Sequence, residues 1–388
     1  MLTSIAIIII IIYLFLIGWF AFGFDRVEDF KLQDLPVKTK FSIVIPFRNE
    51  AENLPRLLAS ISQLNYPKSM FEVIFVDDES EDVSVEVINN FLLKKPLEAV
   101  YTERSRSTQG DISIINNKRN SNSPKKDAIT AAIQTSKYDW IITTDSDCIL
   151  PKYWLDAFDE CIQTKNSNCI VAPVTYHANN SFFKRFQTLD FLSLQGATIG
   201  GFGIKRPFMS NGANFGYRKS SFVAVNGFDG NNNISSGDDI FLLQKLTKQD
   251  AKKVHYLKSK KAIVTTNPSN SISNLIQQRL RWASKTSNYD NRFAKLVGLT
   301  VLLGNLTCIA FIPLVLLNLL NTRIVVALLI IKFSIDFLLL FKTSRFFKQE
   351  TLLLSYIFSS IIYPIFNVSI AFLSFFKSYR WKGRTSKK

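Results

Sequence analysis

The side chains best suited to chemistry are carboxylates. Asp145 and Asp147 close the apolar, β-branched run Trp140 to Thr144, with a single serine between them. Acids side by side repel each other and are costly to bury, so an apolar strand that ends in two of them calls for a counter-charge. A hard cation provides one: Mg²⁺ or Mn²⁺ takes oxygens from one or two carboxylates and completes its shell with water and substrate phosphates. That is the chemistry of an enzyme handling a nucleotide diphosphate. An isolated Asp-x-Asp is more often a solvated turn, so context decides.

The context repeats the pattern. Asp77 and Asp78 end a second apolar run, Phe71 to Val76, although an Asp after a strand can also cap the next helix. Asp238 and Asp239 follow a glycine and open an apolar helical run. Asp238 alone would suffice as a helix cap; a carboxylate within reach of an acceptor hydroxyl would serve as a general base. Ser123, Pro124, Lys125 and Lys126 begin a predicted helix, and helix N-termini and lysines both favour phosphate. The basic helix Ser273 to Lys285 carries Gln278, Arg279, Arg281 and Trp282. Arginine offers a fork for pyrophosphate and tryptophan a flat face for a sugar or lipid headgroup, while such a helix is also a common membrane-surface element. Ser210 to Tyr217 is a polar loop whose glycines allow close backbone approach to a sugar.

These residues need a frame. Phe41 to Phe47 is a nearly continuous apolar strand, of the kind buried on both faces of a parallel sheet. Helical spacing of leucines predicts a helix over Glu50 to Leu64, with Asn49 and Glu52 as its capping pair and Pro55 in its first turns. A helix over about Asp82 to Leu93, strands at Glu98 to Thr102 and Ile112 to Ile115, and a helix from Lys126 to Ser136 lead back to the Trp140 strand. This alternation predicts a βαβ sheet through residue 147. Ligands of open α/β sheets bind outside the carboxyl ends of the strands, so Asp77/Asp78 and Asp145/Asp147 are expected to share one crevice. Ser181 to Ile204 suits a helix lying in a membrane interface or an ordinary core helix equally well.

Composition adds a membrane. Of 388 residues 47% are hydrophobic, 33 are Phe, and mean hydropathy is +0.10. Met1 to Phe24 carries no charged side chain and lacks the basic start and short core of a cleaved signal peptide, which predicts a retained anchor. Leu296 to Leu320, Ile324 to Phe341 and Thr351 to Phe376, the last interrupted at Pro364, are further span candidates, and Lys332 and Asp336 are placed to pair. Basic residues fill both Lys342 to Lys348 and the tail after Phe376, so a crossing last segment would split them between two sides; a re-entrant or hairpin-like segment is expected. The net charge of +16 is read as attraction to an anionic membrane surface, with no nucleic acid partner. Four cysteines without a Cys-x-x-Cys pair, and only two histidines, argue against zinc; the cysteines are expected to be reduced packing residues.

Taken in order, IPFRNEAENL (45–54), VDDES (76–80), TDSD (144–147), GDDIFLL (237–243) and QRLRW (278–282) resemble the membrane-bound family 2 glycosyltransferases, which include processive polysaccharide synthases and ceramide glucosyltransferase-like enzymes. The resemblance implies an α/β, GT-A (Rossmann-like nucleotide-diphospho-sugar transferase) domain over residues 41–290 with interfacial helices. Before it come an anchor (1–24) and a linker (25–40); after it come a transmembrane region (296–376) and a basic tail (377–388). It implies Asp78, with Asp77 beside it, at the nucleotide base; Asp145 and Asp147 on the diphosphate through Mg²⁺ or Mn²⁺; and Lys126 on the nucleotide sugar. Asp239, with Asp238, takes the place of the catalytic base, and Gln278, Arg281 and Trp282 border acceptor and pyrophosphate. Two departures stand out: Asp238-Asp239 where Glu-Asp is usual, and Pro124-Lys125-Lys126 where Gly-Lys is common. The closing WKGR (381–384) resembles the end of several lipid-directed members. The implied reaction is inverting transfer from a nucleotide sugar, expected to be a UDP-sugar, to a membrane lipid or lipid-linked acceptor, with a polysaccharide synthase as the alternative. The implied setting is a bacterial cytoplasmic membrane with the catalytic domain facing the cytoplasm and touching membrane lipids.

Overall fold

The computed structural model describes residues 1–93, 111–177, 181–285, 290–381 and 384–386. The chain forms two units, one carrying the main sheet (Asp29–Val174 and Ser210–Asn267) and one rich in helices (Met1–Glu28, Thr175–Met209 and Pro268–Lys388). The first helix, α1 (Leu2–Arg26), belongs to the second unit.

In the sheet unit, β1 (Phe41–Phe47), α2 (Leu54–Ser62), β2 (Phe71–Asp77), α3 (Ser84–Leu93), β3 (Asp111–Asn116), α4 (Pro124–Thr135) and β4 (Trp140–Thr143) give the expected alternation. β1 runs parallel to both β2 and β4, Phe41 facing Phe71 on one side and Trp140 on the other, and β3 extends the parallel set beyond β2. Ile43, Val44 and Ile45 are fully buried, each such side chain contributing about 1.5–3 kcal/mol by leaving water. The proposed strand at Glu98 to Thr102 lies outside the described residues.

After β4 the pattern changes. α5 (Trp154–Lys165) leads to β5 (Cys169–Val171) and β6 (Val174–Tyr176); α6 (Phe182–Gly203) belongs to the helix-rich unit; and β7 (Phe215–Arg218), α7 (Lys219–Ala224), α8 (Asp238–Asp250), β8 (Val254–Tyr256) and β9 (Val264–Thr266) follow. The main sheet has the order β3-β2-β1-β4-β7-β5-β8, and β7 is antiparallel to both neighbours. Thr143 therefore pairs with Phe215, so the end of β4 and the start of β7 share one edge of the sheet.

One local expectation needs correction. Asn49 and Glu52 do not cap α2, which starts at Leu54. Asn49 instead sits in the left-handed region (φ 51°) and its side chain accepts the Glu81 N–H, while Glu50 takes the Asn53 amide. The linker is held by side chains of α5. Glu160 accepts the backbone N–H groups of Gln33 and Leu35, and Asp159 those of Lys38 and Thr39, strapping this stretch onto α5.

The helix-rich unit adds α9 (Ile272–Ala283), α10 (Arg292–Leu316), α11 (Thr322–Phe347), α12 (Tyr356–Phe376) and a short hairpin of β10 (Tyr379–Trp381) and β11 (Arg384–Ser386). Leu2–Arg26, Arg292–Leu316, Thr322–Phe347 and Glu350–Phe376 are long and apolar enough to cross a membrane. α6 is buried along most of its length and packs on α1 and α11. At its crossing with α1 the backbones touch through Gly23, Gly200 and Gly203, where any Cβ would collide with a carbonyl oxygen of the facing helix. Lys332 and Asp336 pair at 3.0 Å, and Tyr13 of α1 donates to the same carboxylate at 2.7 Å. α12 continues through Pro364 as one helix, without the interruption expected there. All four cysteines are free and buried.

Candidate active site

The site is built from the ends of the sheet unit's strands. Asp77 closes β2, and its carboxylate accepts the Ser80 N–H at 3.0 Å, a turn-forming contact. Asp78, the next residue, is 4% exposed. Its Oδ1 accepts from Asn117 Nδ2 at 2.7 Å, and the Arg119 guanidinium lies 3.8 Å away. The same Asn117 nitrogen donates to the Pro124 carbonyl at 3.0 Å, tying the end of β3 to the start of α4.

One residue further, Lys125 reaches across to the other acids. Its Nζ is 2.7 Å from Asp145 Oδ1 and 3.3 Å from Asp238 Oδ2. Burial disfavours the charge on Lys125, but Asp145, Asp238 and Asp239 outweigh it and hold its pKa well above the ordinary lysine value. Asp238 and Asp239 occupy the first turn of α8, where the helix dipole favours negative charge. Gly237 before them has φ +87°, a conformation suited to glycine.

Gly212 completes the cluster. It precedes β7, and Thr143 Oγ1 of β4 donates to its carbonyl at 2.8 Å. Its N–H donates to Asp239 Oδ2 at 3.0 Å, while Asp239 Oδ1 accepts from Ile240 N–H at 2.7 Å. A Cβ on Gly212 would lie 2.9 Å from Asp238 Oδ2 and 3.3 Å from Lys125 Nζ, so only a bare backbone leaves that contact intact. The antiparallel pairing of β4 with β7 is what brings this glycine beside the acids.

Asp145, Asp238 and Asp239 thus meet around Lys125 and Gly212, and Asp78 is linked to them through Asn117 and the start of α4. Asp147 receives the Cys148 thiol at 3.7 Å; burial, then the Asp147 and Asp145 charges, push that thiol's pKa up and keep it protonated. Lys126 points elsewhere: its Nζ donates to the carbonyls of Asn231 and Ile234 at 2.7 and 2.9 Å and fixes the loop that leads into α8. Gln278, Arg281 and Trp282 lie on α9 in the helix-rich unit, where Gln278 accepts a hydrogen bond from Tyr176 at 3.3 Å. Asn117 and Arg119 were not foreseen. They too follow the end of an apolar strand, the position that singled out the acids.

The oxygens present suit a hard cation held partly by its substrate. Asp145, its side chain 38% exposed, and Asp147 supply carboxylate oxygens, and no group of three or more His, Cys, Asp or Glu is arranged around an ion among the described residues. Substrate phosphates and water would then furnish the rest of the shell, as Mg²⁺ commonly requires.

A mainly parallel sheet extended by an antiparallel strand, with acids at its carboxyl ends, defines a nucleotide-sugar transferase fold of the GT-A type. Residues 140–375 match the family model Glycosyl transferase family group 2, and residues 42–225 match Glycosyl transferase family 2. The chain belongs to the first of these, Glycosyl transferase family group 2. It is 28% identical over 156 residues to a probable glycosyltransferase of Sulfolobus acidocaldarius, covering 40% of this chain and 30% of that protein. It is 34% identical over 117 residues to an undecaprenyl-phosphate 4-deoxy-4-formamido-L-arabinose transferase of Pseudomonas savastanoi, covering 29% of each. The chain therefore spans less than a third of either relative. A mannosyltransferase from Pyrobaculum calidifontis, solved in complex with GDP-Man and Mn²⁺, shares the fold: 13% identity, TM-score 0.57, covering 93% of this chain and 98% of that one.

Proposed function

We propose that this glycosyltransferase is membrane-bound and moves a sugar, with inversion, from a nucleotide-diphosphate donor to a membrane lipid or lipid-linked acceptor. The observation that carries the reading is the meeting of Asp145, Asp238 and Asp239 around one half-buried lysine, Lys125, at the edge shared by β4 and β7. Asp78, with Asp77 beside it, is assigned to the nucleotide base. Asp239 is assigned as the base that takes the acceptor proton, its carboxylate oriented by the N–H groups of Gly212 and Ile240. Asp145 and Asp147 would hold Mg²⁺ or Mn²⁺, which when bound offsets negative charge on the departing diphosphate. Lys125 adds a fixed positive charge beside Asp145 and takes over the phosphate role assigned from sequence to Lys126, whose Nζ is engaged by backbone carbonyls. Gln278, Arg281 and Trp282 are assigned to the acceptor side.

The lipid acceptor is supported by four helices of membrane-spanning length and composition, and by a relative whose name specifies undecaprenyl phosphate. The test is incubation of purified protein and native membranes with a panel of UDP- and GDP-sugars and Mg²⁺ or Mn²⁺, with the product identified by mass spectrometry. One sugar added to an organic-extractable lipid, lost on chelation with EDTA, is the expected result. A long water-soluble polymer would instead establish a polysaccharide synthase.

A further inference from the structure

The helix-rich unit contains a closed polar and aromatic ring that the reading above leaves unused. Its centre is Arg279, which sits inside the QRLRW segment and is 6% exposed. Its Nε donates to Asp190 of α6 at 2.7 Å, and its Nη1 donates to Gln278 Oε1 at 2.5 Å. Its guanidinium carbon lies 4.2 Å from the centre of the Trp282 ring. Trp282 also leans on Phe191, the residue after Asp190, with ring centres 6.1 Å apart. Phe191 stacks on Tyr176 at 4.5 Å, and Tyr176 closes the ring by donating to Gln278.

One arginine therefore touches both Gln278 and Trp282, while a buried carboxylate fixes the arginine. A planar guanidinium can do this because it donates along two edges and offers a flat face at once; an ammonium cannot. Asp190, 8% exposed, has a structural reason to be charged in the interior of α6, since removing either partner would strand the other.

We propose that Arg279, anchored by Asp190, is a positioning residue that sets the orientations of Gln278 and Trp282 and thereby the affinity for the acceptor. The affinity part rests on the acceptor-side assignment of α9; the positioning part does not.

The test uses the full chain in detergent, labelled with 5-fluorotryptophan. Its five tryptophans give five fluorine resonances, and the Trp282 line is the one lost in W282F. R279M is expected to shift and broaden that line and leave the other four in place, D190N to move it the same way, and R279K to move it less. With the donor found in the nucleotide-sugar panel and extracted native lipid as acceptor, R279M should raise the lipid KM about tenfold and leave the donor KM within about twofold. An unmoved Trp282 line in R279M, or equal rises in both KM values, overturns the proposal. If R279M does not fold, the same readings on R279K decide. Wild-type protein that turns over no nucleotide sugar would defeat the functional reading instead, and the fluorine spectra would still decide the positioning role.

Discussion

Asp239 is held by two backbone N–H groups, one from Gly212 and one from its own helix. An asparagine there keeps the shape and an accepting oxygen but cannot take a proton. D239N should therefore lower turnover by about 10²–10⁴-fold, the usual contribution of a general base, while UDP binding with Mn²⁺ in a calorimetric titration stays within about twofold. Equal loss of both would assign Asp239 to the nucleotide instead. Gly212 tests the geometry from the other side. An added Cβ crowds the tips of Asp238 and Lys125 and meets Asp239 Cβ at an ordinary 3.7 Å, so the fold can yield, but the 3.3 Å contact between Asp238 and Lys125 cannot persist unchanged. G212A should cost on the order of 10²-fold in activity with a melting temperature within about 3 °C of wild type, because small misplacements of reacting groups are expensive and the core is untouched. A large loss of melting temperature would make Gly212 structural.

At the scale of elements, the α1–α6 crossing depends on backbone meeting backbone. In G203A the new methyl would fall on the Gly23 carbonyl oxygen, which has no rotamer to escape into, so the helices must part. Folded yield should drop and the melting temperature fall by at least about 5 °C, whereas G298A, with nothing within 4 Å of its new methyl, should behave as wild type. Equal behaviour of the two variants would show that the crossing is not close-packed. Much of the frame was legible beforehand: the apolar runs of β1, β2 and β4 are long enough to be unambiguous, and their acidic ends stand out against them. What escaped was non-local. The Thr143–Gly212 contact joins residues 69 positions apart, and no local pattern announces that β7 runs antiparallel beside β4. Asn49 and Glu52 looked like a cap because capping patterns are short, and the loop hydrogen bonds that claimed Asn49 come from residue 81. Of the two adjacent lysines, periodicity could not tell which one faces the acids.

Across the helix-rich unit as a whole, α12 runs unbroken over 21 residues, about 30 Å at 1.5 Å per residue, and is tied to its neighbours at each end. Gln349, just before it, donates to the Tyr176 carbonyl at 2.9 Å; Tyr176 bonds Gln278 of α9; and β10, just after α12, packs beside α9. The two basic runs that flank it stay on one side only if α12 does not cross, which is the expectation to be tested. Single cysteines at the exposed positions Lys348 and Ser378, in a background without the four buried native ones, should react with an impermeant maleimide from the same face of sealed vesicles. Labelling from opposite faces would mean that α12 crosses.

Each unit is assembled from separated stretches of chain, with α1 translated before the sheet and α11 after it. A ribosome thus delivers the first membrane-compatible helix long before the carboxylate partner of Tyr13 exists. If α1 inserts into a bilayer as it is made, its Tyr13 hydroxyl stays unclaimed until Asp336 is added, and nascent chains halted before residue 336 should be the ones that quality-control proteases remove first.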